Sequence, residues 1–146
     1  MNFRDLDPQV LVADAPMEGR YMADAAARGV TLVVNNRPDW EETGQWTSEG
    51  LEKAAREAGM DYVHIPVSRE FSEDKVAALT DALADAEGRV LVFCKTGTRS
   101  AYLWALARAR EGAVPEALVA NAARAGYNLR PLMGWLKPRE DEAASS

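Results

Sequence analysis

The stretch Gly88-Arg-Val-Leu-Val-Phe-Cys-Lys-Thr-Gly-Thr-Arg-Ser constrains the fold more than any other part of this chain. Val90 to Phe93 are four β-forming apolar residues in a row, with no polar alternation. Such a run suits a strand covered on both faces, which is the situation inside a parallel sheet. After a short turn, the strongly apolar stretch Ser100 to Glu111 reads as a helix. A buried strand that feeds a buried helix through a tight turn is the repeating unit of α/β folds.

The rest of the chain repeats this alternation. Strands are expected at Val10–Ala13, Thr31–Val34 and Tyr62–Val67, with Pro66 closing the last, and Val90–Phe93 is expected to be central. Helices are expected from about Met17 to Arg28, from a Thr47 or Ser48 cap to Gly59, from Ser72 to Glu87, and from Pro115 to about Ala125. A last short helix is expected near Leu132–Leu136. The fold class is α/β, a mostly parallel sheet flanked by helices. One domain is expected over residues 1–136, followed by a polar, disordered tail over 137–146. Its length of 146 residues suits one domain burying about 70% of its unfolded surface.

Charge and composition narrow the partners. The net charge of −6 repels phosphate backbones and anionic lipid, so neither nucleic acid nor a membrane is an expected partner. No apolar run approaches the length of a membrane span, and the polar start, Met1 to Pro8, does not read as a secretory signal. One cysteine and one histidine make a structural metal site unexpected, and no cofactor is implied. A lone cysteine fits a reducing, cytoplasmic setting.

Ligands in parallel α/β sheets bind beyond the carboxyl ends of the strands, which is where Cys94 must lie. The turn after it carries Lys95, Thr96, Gly97, Thr98, Arg99 and Ser100. Backbone N–H groups in such a turn, and the unpaired ones of the next helix, form an anion cradle. Gly97 permits the curl, the three hydroxyls add donors, and Arg99 adds a planar fork. The same field favours thiolate over thiol, and a thiolate is a competent nucleophile. Cys94 and Arg99 are the candidate catalytic residues, with Lys95, Thr96, Gly97, Thr98 and Ser100 as substrate and anion binders. The alternative, an inert buried cysteine, does not explain why glycine, hydroxyls and arginine follow it directly.

The loop resembles the cysteine-phosphatase signature Cys-x-x-Gly-x-x-Arg-Ser, shortened by one residue. Asn35-Asn36-Arg37-Pro38-Asp39, His64-Ile65-Pro66-Val67 and Cys94-Lys-Thr-Gly-Thr-Arg-Ser, in that order, are similar to a bacterial family. It is the phosphatase-like domain family named after beta-lactamase-hydrolase-like proteins. The resemblance covers roughly Leu11 to Ala107 and implies a dual-specificity or tyrosine-phosphatase-like fold. It also implies Cys94 as nucleophile and Arg99 as oxyanion clamp. Besides the short loop, the chain departs from phosphatases at Phe93, where histidine is usual, and at Ser68-Arg69-Glu70, where a catalytic aspartate is expected. Glu70 can stand in as general acid, and Asp74 or Asp39 can reach in from a loop.

A Cys-to-Arg span this short also resembles the active loop of rhodanese sulfurtransferases. Sulfane-sulfur transfer needs no acid for a leaving group. Phosphatase-like hydrolysis is placed first on fold and family resemblance, with sulfur transfer through a Cys94 persulfide as the alternative and a non-catalytic anion-binding module as a further one. The expected substrate is a small anion, a phosphoester or a sulfane-sulfur donor. Arg37 and Asp39 follow a strand, so they sit at the active end of the sheet. A mutual contact that shapes their loop and a role in positioning substrate are alternatives for this pair. Trp40 and Trp46 either form a lid or pin the loop. His64 reads as structural, and Tyr102, Trp104 and Trp135 as packing residues.

Overall fold

The structure, a computed structural model, describes residues 1–136, so the tail expected over 137–146 lies outside the described residues. Five strands form one sheet in the order β1-β2-β5-β3-β4. They are β1 (Phe3–Asp5), β2 (Val10–Ala13), β3 (Val30–Asn35), β4 (Asp61–His64) and β5 (Arg89–Phe93). β1 is antiparallel to β2, and all other pairings are parallel. β5 is the central strand, as its unbroken apolar run requires.

Alternation along the strands divides the core in two. Val10, Val12, Val34, Val90 and Val92 face one side, which is covered by α3 (Glu73–Asp85), α4 (Thr98–Arg110) and α5 (Pro115–Arg124). Leu11, Ala13, Val33, Leu91 and Phe93 face the other, under α1 (Met22–Ala27) and α2 (Ser48–Glu57). Every strand in the parallel part is therefore sandwiched between helices. A short 3₁₀ turn, Gly19–Tyr21, precedes α1, and another, Arg130–Leu132, leads into α6 (Met133–Leu136). Trp104, fully buried on α4, donates its indole N–H to Asp7 at 2.8 Å, and Arg108 Nε donates to the same oxygen at 3.0 Å. These bonds fasten α4 to the turn that starts β2.

Three points differ from the expectations. The strand β1 has no counterpart in the sequence reading. It is an outer strand with one buried residue, Phe3, beside charged Arg4 and Asp5, so it carries little apolar pattern. The strand expected to reach Val67 ends at His64. Ile65 N–H still bonds Asn35 O at 2.8 Å and Val67 N–H bonds Asn36 O at 2.9 Å. Pro66 between them has no N–H, which interrupts the ladder. The helix expected from Met17 is also shorter, as its first turns are irregular and 3₁₀.

Register sets which residues leave the carboxyl end of the sheet together. Asn35 pairs with both Phe93 and His64. Cys94, Asn36 and Ile65 therefore leave the sheet side by side. No helix among the described residues is long and apolar enough to cross a membrane.

Candidate active site

Cys94 emerges from β5 only 1% exposed. Its sulfur faces the turn, because Gly97 N–H donates to Sγ at 3.2 Å. Gly97 has φ of +94° and sits at the amino end of α4. A Cβ there would lie 2.1 Å from the Tyr127 hydroxyl and 2.8 Å from Ala13 O. Both the backbone twist and the close approach demand glycine. No side chain among the described residues caps α4, so the N–H groups of Thr98, Arg99 and Ser100 have neither an intrahelical nor a side-chain acceptor there. Free amides at the start of a helix, next to a sulfur held by a loop N–H, form an anion-seeking concavity.

Arg99 extends over this site with a definite donor inventory. Nη1 donates to Glu41 Oε2 at 2.7 Å and to Val67 O at 2.8 Å, while Nη2 donates to Glu41 Oε1 at 2.9 Å. A guanidinium has five N–H groups, so Nε–H and one Nη2–H remain, adjacent on one edge. The Cys94 sulfur is near enough to the same guanidinium to favour its charged form. The Glu41 hydrogen bonds raise the pKa of Arg99, burial opposes them, and the neighbouring sulfur adds to the rise. The Arg99 bonds in turn hold the Glu41 carboxyl below its usual range, against a smaller opposing effect of burial and with help from Arg37.

The loop after β3 carries the opposing charges. Arg37, with a side chain only 7% exposed, donates from Nε to Glu41 Oε1 at 3.0 Å. Glu42 Oε1 pairs with Lys95 Nζ of the Cys94 loop and lies 3.2 Å from Arg37 Nη2. Asn36, fully buried, joins three segments at their base. Its N–H bonds Phe93 O at 2.8 Å, its Nδ2 bonds Ile65 O at 2.9 Å, and its Oδ1 accepts from Ser100 Oγ at 2.8 Å. Asn35 Nδ2 donates to the Tyr62 hydroxyl at 2.9 Å, and Asn35 Oδ1 accepts from Arg37 N–H at 2.8 Å. Burial raises the Tyr62 phenol pKa, only partly offset by its bonds to Ser48 and Asn35.

The residues expected from the sequence are thus distributed unevenly. Cys94, Lys95, Gly97, Thr98 and Arg99 line one turn. Thr96 and Thr98 hydroxyls lie 3.3 Å apart, and Thr96 O accepts from Tyr127 at 2.9 Å. Ser100 was expected among the anion donors, but its proton goes to Asn36 because its place on α4 faces the buried end of β3. The Arg37–Asp39 contact does not form. Arg37 pairs with Glu41 and Glu42, and Asp39 Oδ1 instead accepts from Ser48 N–H at 2.7 Å at the start of α2. Glu70 is exposed between β4 and α3, and Asp74 accepts from Ser72 Oγ at 2.5 Å. His64 Nε2 lies 2.9 Å from Arg37 O and steadies that loop. Trp46 packs beneath Gly19, where a Cβ would come within 2.7 Å of the indole, so it pins the loop. Trp40 is 80% exposed.

Sequence reasoning missed Glu41, Glu42 and Tyr127. The acidic pair four and five residues after Arg37 was a weak signal for the first two. Tyr127 had none.

A thiol and a guanidinium held by one strand–turn–helix unit at the end of a parallel sheet define the class: the fold is that of the cysteine phosphatases. A kinase-associated phosphatase with its catalytic-site cysteine replaced by serine superposes with TM-score 0.70 at 12% identity, covering 94% of this chain and 88% of the other. The family model described as "Beta-lactamase hydrolase-like protein, phosphatase-like domain" matches residues 2–111, and the chain belongs to that family. A beta-lactamase hydrolase-like protein of Xylella fastidiosa is 33% identical over 139 residues, which is 94% of this chain. The match spans 32% of that relative, so this chain corresponds to about a third of its length. A candidate phosphatase from Neisseria meningitidis is 29% identical with TM-score 0.81, covering 92% of this chain and 95% of the other.

Proposed function

We propose that this phosphatase-like domain is a cysteine-dependent hydrolase of small phosphate monoesters, with Cys94 as nucleophile and Arg99 as oxyanion clamp. The observation that carries the reading is the donor inventory of Arg99. Glu41 and Val67 O consume three of its N–H groups, and Nε–H and one Nη2–H, adjacent on one edge, have no acceptor among the described residues. A side-on pair of donors is the complement of two phosphoryl oxygens, and the uncapped amides of α4 serve the third.

In the first step the Cys94 thiolate attacks phosphorus. The S–P bond forms, the P–O ester bond breaks, and the leaving oxygen takes the bonding pair and a proton from water. In the second step water attacks phosphorus, the thiolate departs, and inorganic phosphate is released. Glu41 is a positioning residue here, because its ion pair with Arg99 keeps it ionised and unable to donate a proton. Without a carboxylic acid at the leaving group, acidic leaving groups are favoured, so aryl phosphates are the expected substrate class.

The test is turnover of p-nitrophenyl phosphate, with trapping of a phosphocysteine by mass spectrometry. Cys94→Ser should abolish both signals. Absence of turnover on a panel of aryl phosphates by the wild type would refute the proposal.

One observation favours sulfur transfer as a second reading. Of the acids offered for the leaving group, Asp39 is bonded to Ser48 N–H and Asp74 to Ser72, and Glu70 is exposed between β4 and α3. Transfer from thiosulfate needs none of them, since the thiolate takes the outer sulfur and sulfite leaves with the bonding pair. A mass gain of one sulfur on the Cys94 peptide after thiosulfate treatment, without phosphatase activity, would select it. A domain that binds inorganic phosphate and turns over neither substrate class would be an anion receptor.

A further inference from the structure

We infer that Glu42 occupies the seat of a second anionic group of the ligand, made by Lys95 Nζ and Arg37 Nη2 beside the Cys94 loop. The inference rests on the reading of that loop as an oxyanion site and adds a substrate class: phosphate monoesters that carry another oxyanion, a carboxylate or a phosphate, on the part that does not react.

The first observation is a buried donor without a hydrogen bond. Arg37 has a side chain only 7% exposed, and its Nη2 has no hydrogen-bond partner among the described residues. Glu42 Oε1 is close, at 3.2 Å, but lies off the N–H directions, so proximity gives an ion pair and no bond. Buried guanidinium N–H groups are normally satisfied, so an unsatisfied one marks a place where a better-aligned oxygen would be gained. The second observation is that the present occupant is loosely held. Glu42 and Lys95 side chains are 48% and 52% exposed, and exposed pairs of this kind contribute little. One oxygen of Glu42 serves both cations. A free carboxylate or phosphate, unconstrained by the loop backbone, can align with both.

The third observation is space. Arg37 and Glu42 line an open pocket of about 340 Å³ whose other walls include Pro16, Met17, Gln45 and Trp46. Glu18, which also lines it, is already paired with Arg20 at 3.3 Å. Lys95 follows Cys94 in the chain and does not line this pocket itself, but its Nζ pairs with Glu42, which does, so the spacer from Cys94 to the seat is the quantity the probes measure. The charge balance agrees: among the described residues, Arg37, Lys95 and Arg99 form their ion pairs with Glu41 and Glu42. Glu41 is doubly bonded to Arg99 and stays, whereas Glu42 is the replaceable member.

The test uses uncleavable probes on the full chain by calorimetric titration. Methylphosphonate measures the Cys94 site alone. Phosphonoacetate and its homologues with one and two further methylenes add a carboxylate at increasing reach, and methylene and ethylene bisphosphonates add a second phosphonate. At one spacer length the two-anion probe should bind about tenfold or more tighter than methylphosphonate. Whether the carboxylate or the bisphosphonate arm shows the larger gain identifies the second group. Glu42→Gln should widen that ratio, because the competing carboxylate is gone. Lys95→Met should collapse it towards one, and so should Arg37→Met if it folds. A ratio near one at every spacer length in the wild type overturns the inference while leaving the oxyanion site standing, and so does a ratio that Lys95→Met does not change. If no phosphonate binds at all, the oxyanion reading of the loop fails, and this inference fails with it.

Discussion

The two loops at the carboxyl ends of β5 and β3 reach the same site by different physics. The loop after β5 is built from its own backbone: a glycine at positive φ, a free helix terminus, and a sulfur held by an amide three residues on. The loop after β3 acts through side chains that cross to another segment. Arg37, Glu41 and Glu42 meet Arg99 and Lys95, and Glu41 and Arg99 are 58 residues apart. In the proposed chemistry the first loop supplies the nucleophile, and the second fixes which Arg99 donors stay available. Local geometry of the first kind can be read from consecutive residues, whereas pairings of the second kind depend on register between strands.

The sharpest way to break this contrast is Gly97→Ala. Its Cβ would meet Ala13 O at 2.8 Å and the Tyr127 hydroxyl at 2.1 Å, at a φ that disfavours any side chain. The strain and the overlap together should cost about 3–5 kcal/mol, with loss of anion binding at Cys94. Chemical denaturation and phosphate titration check it. A variant of wild-type stability would mean that the turn is plastic and that its backbone shape does not define the site.

Asn36→Ala strikes the second loop at its root. It leaves Ile65 O and Ser100 Oγ without their buried partner. The expected loss is about 2–3 kcal/mol in denaturant unfolding. It should also lower activity, because Val67 O, which receives Arg99, hangs from the segment that Asn36 ties down.

Glu41→Gln tests the division of labour with less disruption. Gln keeps the size but removes the charge, so the Nη1 and Nη2 donors of Arg99 are held less firmly and its fork loses alignment. The expected result is a fall of about tenfold in kcat with a smaller change in KM. A purely structural role would leave kcat in proportion to the folded fraction. The pH dependence has a definite sign. Arg99 depresses the Glu41 pKa below its ordinary 4.5, so the stability it contributes is present above that value and lost as pH falls further. The melting temperature of Glu41→Gln should lie below wild type at neutral pH, and the gap should close as pH drops below about 4.5. A gap that persists in acid would mean that the carboxylate charge is not what holds the loop.

The same contrast explains what the sequence disclosed. β5, its central position and the Cys94 turn were legible because an apolar run, a glycine and a basic residue lie within one short window. The Thr47 cap of α2 and the start of α3 at Ser72 were legible from consecutive residues too. β1 was not, since a three-residue outer strand needs only one buried side chain. Ser100 looked like a cradle hydroxyl because it follows Arg99, yet its orientation is decided by Asn36 at the end of another strand. Asp39 looked like a partner for Arg37 because it is near in sequence, yet the turn sends it to cap α2. Glu41 and Glu42 fell in a loop whose path is fixed by Gln45, Trp46 and the sheet register, none of which adjacent residues report.

Tyr127 offers the gentlest probe, because it touches the Cys94 turn from a third segment. Its hydroxyl donates to Thr96 O at 2.9 Å and covers Gly97. Burial, followed by the charges of Asp14 and Cys94, raises its pKa to about 12, so it stays a proton donor throughout the neutral range. Tyr127→Phe keeps the ring and removes one hydrogen bond to a half-exposed turn. The expected cost is about 0.5–1.5 kcal/mol, with a change in phosphate affinity of no more than a few fold. If the loop after β5 is shaped by its own backbone, that modest effect is the ceiling. A loss as large as that of Gly97→Ala would show instead that the turn is held in place from outside, and the distinction between a self-built loop and an assembled one would no longer hold.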